Sequence, residues 1–183
     1  NLSLKEAWKL MKELGVVTLP ITRERKLEGL ITIGDIATSY MDMYDSRILS
    51  MANTPYKNIV ETLDGAMLIG DMGDYYQEGK VLIAAANPDL MEDYIEKGDL
   101  VILGNRYESQ LCAIEMSAGC IVVCEGAKVS LTIRKLAEEK GCVVISTPHD
   151  TYTAARLINQ SMPLQYFMKS EHLTKFHVNE KTE

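Results

Sequence analysis

The sequence predicts an α/β protein in two parts: a mostly parallel sheet covered by helices and, ahead of it, a small helix–strand–strand–helix unit. Three observations carry this. From Lys80 onward, short apolar runs alternate with segments of helical spacing through short turns, the pattern of a parallel sheet with crossover helices. The runs, such as Cys120-Ile121-Val122-Val123-Cys124, are continuous rather than alternating, as strands buried on both faces are. At the other end, a capping box opens an amphipathic helix that two short apolar segments follow.

Taken in order, Ser3-Leu4-Lys5-Glu6 places a capping hydroxyl three residues ahead of a carboxylate that reaches back to it. Leu4, Ala7, Trp8, Met11 and Leu14 then recur at helical spacing, and Gly15 stands where a left-handed residue ends a helix. Leu19 and Ile21, then Leu27, Leu30, Ile31 and Ile33, describe two strands joined by the polar turn Thr22-Arg23-Glu24-Arg25-Lys26. A helix follows from Asp35 to about Tyr44, with Ile36, Tyr40 and Tyr44 along one stripe. Two helices on one face of so small a sheet leave the other face bare, so this unit calls for a partner copy. Thr54-Pro55 reads as an N-cap followed by proline at the first helical position, for a helix ending near Leu63. Residues 66–69 form a short strand, and the acidic, glycine-punctuated stretch 71–79 reads as an exposed loop.

In the second part, strands are expected at 81–85, 100–103, 120–124 and 142–146. Helices are expected from Asn87-Pro88 to about Lys97, and over 106–117, 128–140 and 150–160. The connections are right-handed crossovers. Beyond them, 162–168 reads as a short helix entered through Pro163, and 173–178 alternates like an exposed strand.

The chain has 183 residues, of which 46% are apolar, enough for a sizeable core. Its net charge is −7 and no segment concentrates Lys and Arg, so nucleic acid is not an expected partner. No apolar run approaches the roughly 20 residues of a membrane span, and the first helix is amphipathic rather than a signal-peptide core. The expectation is therefore a cytoplasmic protein without a membrane partner. Cys112, Cys120, Cys124 and Cys142 form no CxxC pair and read as buried free thiols.

Two places have the residue types for binding chemistry. Thr32 and Asp35 lie three apart where strand gives way to helix. Phosphate can sit on the free N–H groups of the helix start and on Thr32, while Asp35 accepts from ribose hydroxyls. The simpler reading is that Asp35 only caps the helix. The other place is the C-terminal edge of the parallel sheet, where Arg106, Lys128, His149 and Asp150 can converge on an anion. The reading preferred to this is that Asp150 caps the last helix and His149 is a loop residue, since no nucleophile accompanies them. Neither GxGxxG after the first strand nor GxxxxGK[ST] anywhere is present, which argues against a dehydrogenase or a kinase.

Gly15-Val16-Val17-Thr18-Leu19-Pro20-Ile21 with Gly29-Leu30-Ile31-Thr32-Ile33-Gly34-Asp35-Ile36 resembles the latter part of a CBS motif, the adenosine-nucleotide-sensing repeat. The region from about Gly79 to Ser161 is similar to the DRTGG domain, through residues 98–106 and 146–155, with Asn105-Arg106-Tyr107-Glu108-Ser109 in place of the naming motif. The order of parts resembles the regulatory insert of CBS-containing family II inorganic pyrophosphatases. Met41-Asp42-Met43-Tyr44-Asp45-Ser46 and Met162-Pro163-Leu164-Gln165-Tyr166-Phe167-Met168 fit that insert.

The resemblance implies a CBS motif lacking its first strand at 1–47, a connecting region at 48–78, a DRTGG-like domain at 79–161 and the start of a second, truncated CBS motif at 162–183. It implies an allosteric region controlling an attached manganese- or cobalt-dependent pyrophosphatase, with AMP and ADP inhibiting and ATP or a diadenosine polyphosphate activating. Val17, Thr18 and Leu19 would meet the adenine and Thr32, Gly34 and Asp35 the phosphate and ribose, in a homodimer. The strand at 173–178 is a candidate to fill the missing position of the first motif, in the same chain or a symmetry mate. No catalytic residue or metal ligand is expected, since His149, His172 and His177 form no DHH triplet. Two other readings stand beside this one: a DRTGG domain associated with an acyl- or phosphoryl-transferase, and a dimerisation scaffold with a vestigial nucleotide site.

Overall fold

Ser3 starts the first helix through reciprocal capping: its hydroxyl accepts from the Glu6 N–H at 3.2 Å while the Glu6 carboxylate accepts from the Ser3 N–H at 3.3 Å. The computed structural model in which this is seen describes residues 2–41 and 44–168. Helix α1 (Leu4–Leu14) buries Leu4, Ala7 and Met11 and ends at Gly15 in the left-handed conformation, with φ 64°. Trp8 and Leu14, expected on the same stripe, are exposed. The described residues divide into two units, one holding those up to Tyr44 and those from Pro163 to Met168, the other Asp45–Met162.

In the first unit, β1 (Thr18–Arg23) and β2 (Lys26–Thr32) form the expected antiparallel hairpin. Its two-residue turn puts both Glu24 and Arg25 at positive φ, 48° and 68°, the geometry that matches the twist of the strands. The register slips between Ile21 and Thr22, which pair with Gly29 and Leu27 and leave Glu28 as a bulge. Helix α2 (Ile33–Met41) begins directly from β2. The expected stripe on it is corrected: Ser39 is the buried residue, whereas Tyr40 and Tyr44 are exposed. Near the other end of the chain, Pro163 bridges to Ser3 and the Leu164 N–H donates to the Leu2 carbonyl at 2.9 Å, ahead of the short helix at Leu164–Met168. The strand expected at 173–178, and residues 42 and 43, lie outside the described residues.

The second unit is built on a five-stranded sheet. Strands β6 (Val81–Ile83), β7 (Leu100–Leu103), β8 (Cys120–Val123) and β9 (Val143–Ser146) run parallel, and β4 (Ala66–Ile69) adds an antiparallel edge, in the order β4-β9-β8-β7-β6. All four residues of β7 and of β8 are buried, which is why their sequence is apolar throughout. Helices α5 (Pro88–Met91), α6 (Tyr107–Glu115), α7 (Leu131–Lys140) and α8 (Thr151–Ile158) connect the strands and follow the last. Asn87, Ser130 and Asp150 cap α5, α7 and α8 with their side chains. The helix expected to reach Lys97 stops at Met91.

Two further expectations are corrected here. Thr54 is not an N-cap: it lies in β3 (Thr54–Pro55), and its buried hydroxyl donates to the Leu49 carbonyl at 2.8 Å, while Pro55 takes the cap position of α4 (Tyr56–Thr62). The stretch 71–79 is not wholly an exposed loop, because β5 (Tyr75–Tyr76) pairs with β3 and Tyr76 is 2% exposed, its ring 6.3 Å from that of Tyr56. All four cysteines are buried and free. Burial pushes every thiol up, Cys124 to about 11 and Cys142 to about 12.

Candidate functional site

The β1–β2 hairpin brings its six candidate residues to one end. Thr18 pairs with Thr32 across the strands and Leu19 with Ile31, so the start of β1 lies beside the exit of β2. Val17, just before β1, accepts from the Ile33 N–H at 2.9 Å. Its side chain is 65% exposed, while Leu19 turns inward at 6%.

At the helix start, Thr32 and Asp35 hold each other. The Asp35 carboxylate accepts from the Thr32 N–H and hydroxyl, both at 2.8 Å, and the Asp35 N–H donates to the Thr32 hydroxyl oxygen at 3.1 Å. This is a capping box with Thr32 as the cap and Asp35 reciprocating. The capping reading of Asp35 is thus realised in the structure, and it orients the two side chains a ligand would meet. Of the first three amides of α2, that of Ile33 goes to Val17 and that of Asp35 to Thr32. The Gly34 N–H has no hydrogen-bond partner among the described residues, and a Cβ at Gly34 would meet only the Thr32 hydroxyl, at 3.4 Å. An exposed glycine there leaves the backbone open to an anion.

At the sheet edge, Asp150, His149 and Arg106 are found in three different settings, and Lys128 is exposed. Asp150 caps α8, accepting from the Thr153 N–H at 2.7 Å. His149 pairs with Asp64 at 2.9 Å across to the end of α4. Arg106 instead joins Ala84, Ala85, Gly104, Asn105 and Ser109 around a cavity of about 170 Å³ at the ends of β6 and β7. Sequence reasoning missed Ser109, whose signal was its place three residues after the cap of a helix that begins at a strand end. Among the described residues no group of three or more His, Cys, Asp or Glu side chains is placed to hold a metal ion, and no helix is long and apolar enough to cross a membrane.

Two α/β units, one a capped hairpin–helix and one a mostly parallel sheet, define the class: a CBS-type unit joined to a DRTGG-type domain. Residues 58–161 match the DRTGG domain family, and the chain belongs to it. Its structural likeness is to the CBS and DRTGG domains of the regulatory region of Clostridium perfringens pyrophosphatase, complexed with the activator diadenosine tetraphosphate. That comparison has TM-score 0.86 and 36% identity over 91% of this chain and 73% of that one. By sequence it is 34% identical to a cobalt-dependent inorganic pyrophosphatase of Clostridium perfringens, over the whole chain and 34% of that protein. It is 29% identical to a probable manganese-dependent inorganic pyrophosphatase of Thermotoga maritima, over 90% of the chain and 30% of that protein. The chain spans about a third of the length of these curated relatives.

Proposed function

We propose that this chain is the adenine-nucleotide-sensing regulatory region of a manganese- or cobalt-dependent inorganic pyrophosphatase. The observation that carries this is the gathering of Val17, Thr18, Leu19, Thr32, Gly34 and Asp35 at one end of a hairpin. The reading is supported by the likeness to a regulatory region complexed with diadenosine tetraphosphate.

In this reading the adenine lies against the main chain of Val17 to Leu19, with the exposed Val17 side chain on one side. The Gly34 N–H and the Thr32 hydroxyl take a phosphate oxygen, and the Asp35 carboxylate accepts from the ribose hydroxyls. Thr32 then exchanges its bond to Asp35 for one to phosphate, so the cap that starts α2 changes with the ligand. A nucleotide acts on the attached enzyme only through a difference in affinity between two arrangements of the region. AMP and ADP favour the inhibited arrangement, and ATP or a diadenosine polyphosphate the active one. The region works as a homodimer: Trp8, Leu14 and Leu27 are 43–61% exposed, apolar surface that a second copy covers. The chain itself is not a hydrolase.

Calorimetric titration of the chain with AMP, ATP and diadenosine tetraphosphate tests the reading. Binding is expected with the unaltered chain and lost in Val17→Glu, whose side chain is outside the core and leaves the fold intact, and weakened in Asp35→Asn. Absence of binding for all three ligands, or equal binding by Val17→Glu, overturns it.

A further inference from the structure

The cavity at the ends of β6 and β7 belongs to the second unit and takes no part in the nucleotide reading. Its wall is made by the start of α6, a nine-residue helix whose cap position is held by Arg106 with no side-chain hydrogen bond. The first intrahelical donor is the Gln110 N–H, to the Arg106 carbonyl at 3.2 Å. The N–H groups of Tyr107, Glu108 and Ser109 therefore have no hydrogen-bond partner among the described residues. The Asn87, Ser130 and Asp150 side chains do this work at the starts of α5, α7 and α8, the other helices that follow the parallel strands.

A second, independent feature points into the same space. Ser109 is 4% exposed and lines the cavity, and its hydroxyl has no hydrogen-bond partner among the described residues. The hydroxyl is not sealed off, since the fully buried side-chain oxygens without a partner among the described residues are those of Tyr76 and Tyr94, so Ser109 keeps an unused donor and acceptor open to whatever enters the cavity. The surroundings are arranged for access rather than packing. The side-chain amide of Gln110, itself buried, donates to the Gly104 carbonyl at 3.0 Å and so holds that acceptor in a protein bond. Gly104 has nothing within 4 Å of where a Cβ would stand, and Ala84 and Ala85 line the facing wall with methyl groups. Arg106 supplies the positive charge at the rim; Glu108 is exposed on the same turn and is not among the lining residues.

We infer that this cavity is a second anion site, built for a phosphoryl group held by the amides of α6, the Ser109 hydroxyl and the Arg106 guanidinium. Amide donors, a hydroxyl and a guanidinium fork suit a doubly charged tetrahedral oxyanion, and the cavity has room for one. Inorganic phosphate and the phosphate of a phosphomonoester share this chemistry.

The test is amide NMR of the full 183-residue chain, titrated separately with inorganic phosphate and with AMP. The expected result is saturable shifts at Tyr107, Glu108 and Ser109, weakened about tenfold or more in Arg106→Gln and in Ser109→Ala. Shifts with phosphate alone identify the inorganic ion as sufficient; shifts at these amides with AMP but not phosphate identify a phosphomonoester. The same spectra report whether each variant keeps the fold, and resonances of Thr32 to Asp35 read the nucleotide reading independently. No shift at α6 with either ligand, or shifts equal in wild type and both variants, overturns the assignment.

Discussion

Lys80 grips Asp99 twice, through its main-chain N–H at 2.9 Å and its ammonium at 2.8 Å. The carboxylate is fully buried and also accepts from the Glu96 N–H at 2.8 Å. It thus ties the start of β6 to the turn that enters β7. Burial acts to lower the Lys80 pKa, but its hydrogen bonds to Asp99 and Glu96 outweigh this and raise it.

Asp99→Ala leaves two main-chain donors and an ammonium without their acceptor. The expected loss is about 3 kcal/mol of unfolding free energy, read from urea denaturation. A loss no larger than that of an average surface substitution would show that solvent replaces the carboxylate.

The cap of α8 is sensitive to acid. The Asp150 carboxylate is held below its ordinary value of 3.8, chiefly by the Thr153 N–H and then by the Thr153 side chain. A lowered folded value means that its stabilisation is complete above the unfolded value and lost as pH falls through the folded one. Asp150→Asn keeps a capping oxygen without the charge. The stability difference between wild type and this variant is therefore expected to be constant at neutral pH and to shrink below 3.8. A difference independent of pH down to full acid unfolding would contradict this.

Glycine is required where the second unit's strands begin. Gly79 has φ 95°, and a Cβ there would stand 2.5 Å from the Gly98 carbonyl group. Because the clash is with backbone, no rotamer relieves it, and Gly79→Ala is expected to cost about 2 kcal/mol or more. Gly126→Ala makes a useful comparison, since it shares the positive φ, at 61°, but meets nothing within 4 Å. Equal midpoints for the two in thermal melts would rule out the steric term.

The hairpin of the first unit offers the opposite change. Replacing Glu24-Arg25 by Asn-Gly suits a turn in which both residues have positive φ. A gain of about 1 kcal/mol is expected, seen as a higher melting temperature. The Arg23–Glu28 ion pair at 3.1 Å lies outside the exchanged residues.

The thiols should be inert in the native protein. Burial raises all four, Cys120 well above its ordinary value. At pH 8 an aromatic disulfide reagent is expected to label none of them before unfolding and all of them after. Rapid labelling of Cys112, the most accessible at 8% exposed, would show that α6 lifts locally from its packing.

What could be read from residues alone follows how local the physics is. The capping box at Ser3 and the buried strands at 100–103 and 120–123 were legible because one helical turn, or one apolar run, contains the whole signal. The antiparallel edge strand β4 was seen as a strand, but its pairing with β9 is a tertiary fact. Tyr76 was hidden in an acidic stretch because its burial depends on a pairing with Thr54, far off in sequence. At the hairpin site the Thr32–Asp35 spacing was legible, while the Val17 carbonyl that takes the Ile33 amide was not. The cavity beside Ser109 was invisible for the same reason: its walls come from the ends of two strands and the start of a helix.

The bridge between Ser3 and Pro163 bears on the order in which the two units can fold during synthesis. A nascent chain leaving the ribosome exposes everything needed for the sheet at Asp45–Met162 before Pro163 emerges. The sheet can close co-translationally, while the N-terminal helix and hairpin wait for the residue that bridges to Ser3. Any ribosomal pause just upstream of that residue would lengthen the interval in which the apolar face of the N-terminal helix is open to chaperones.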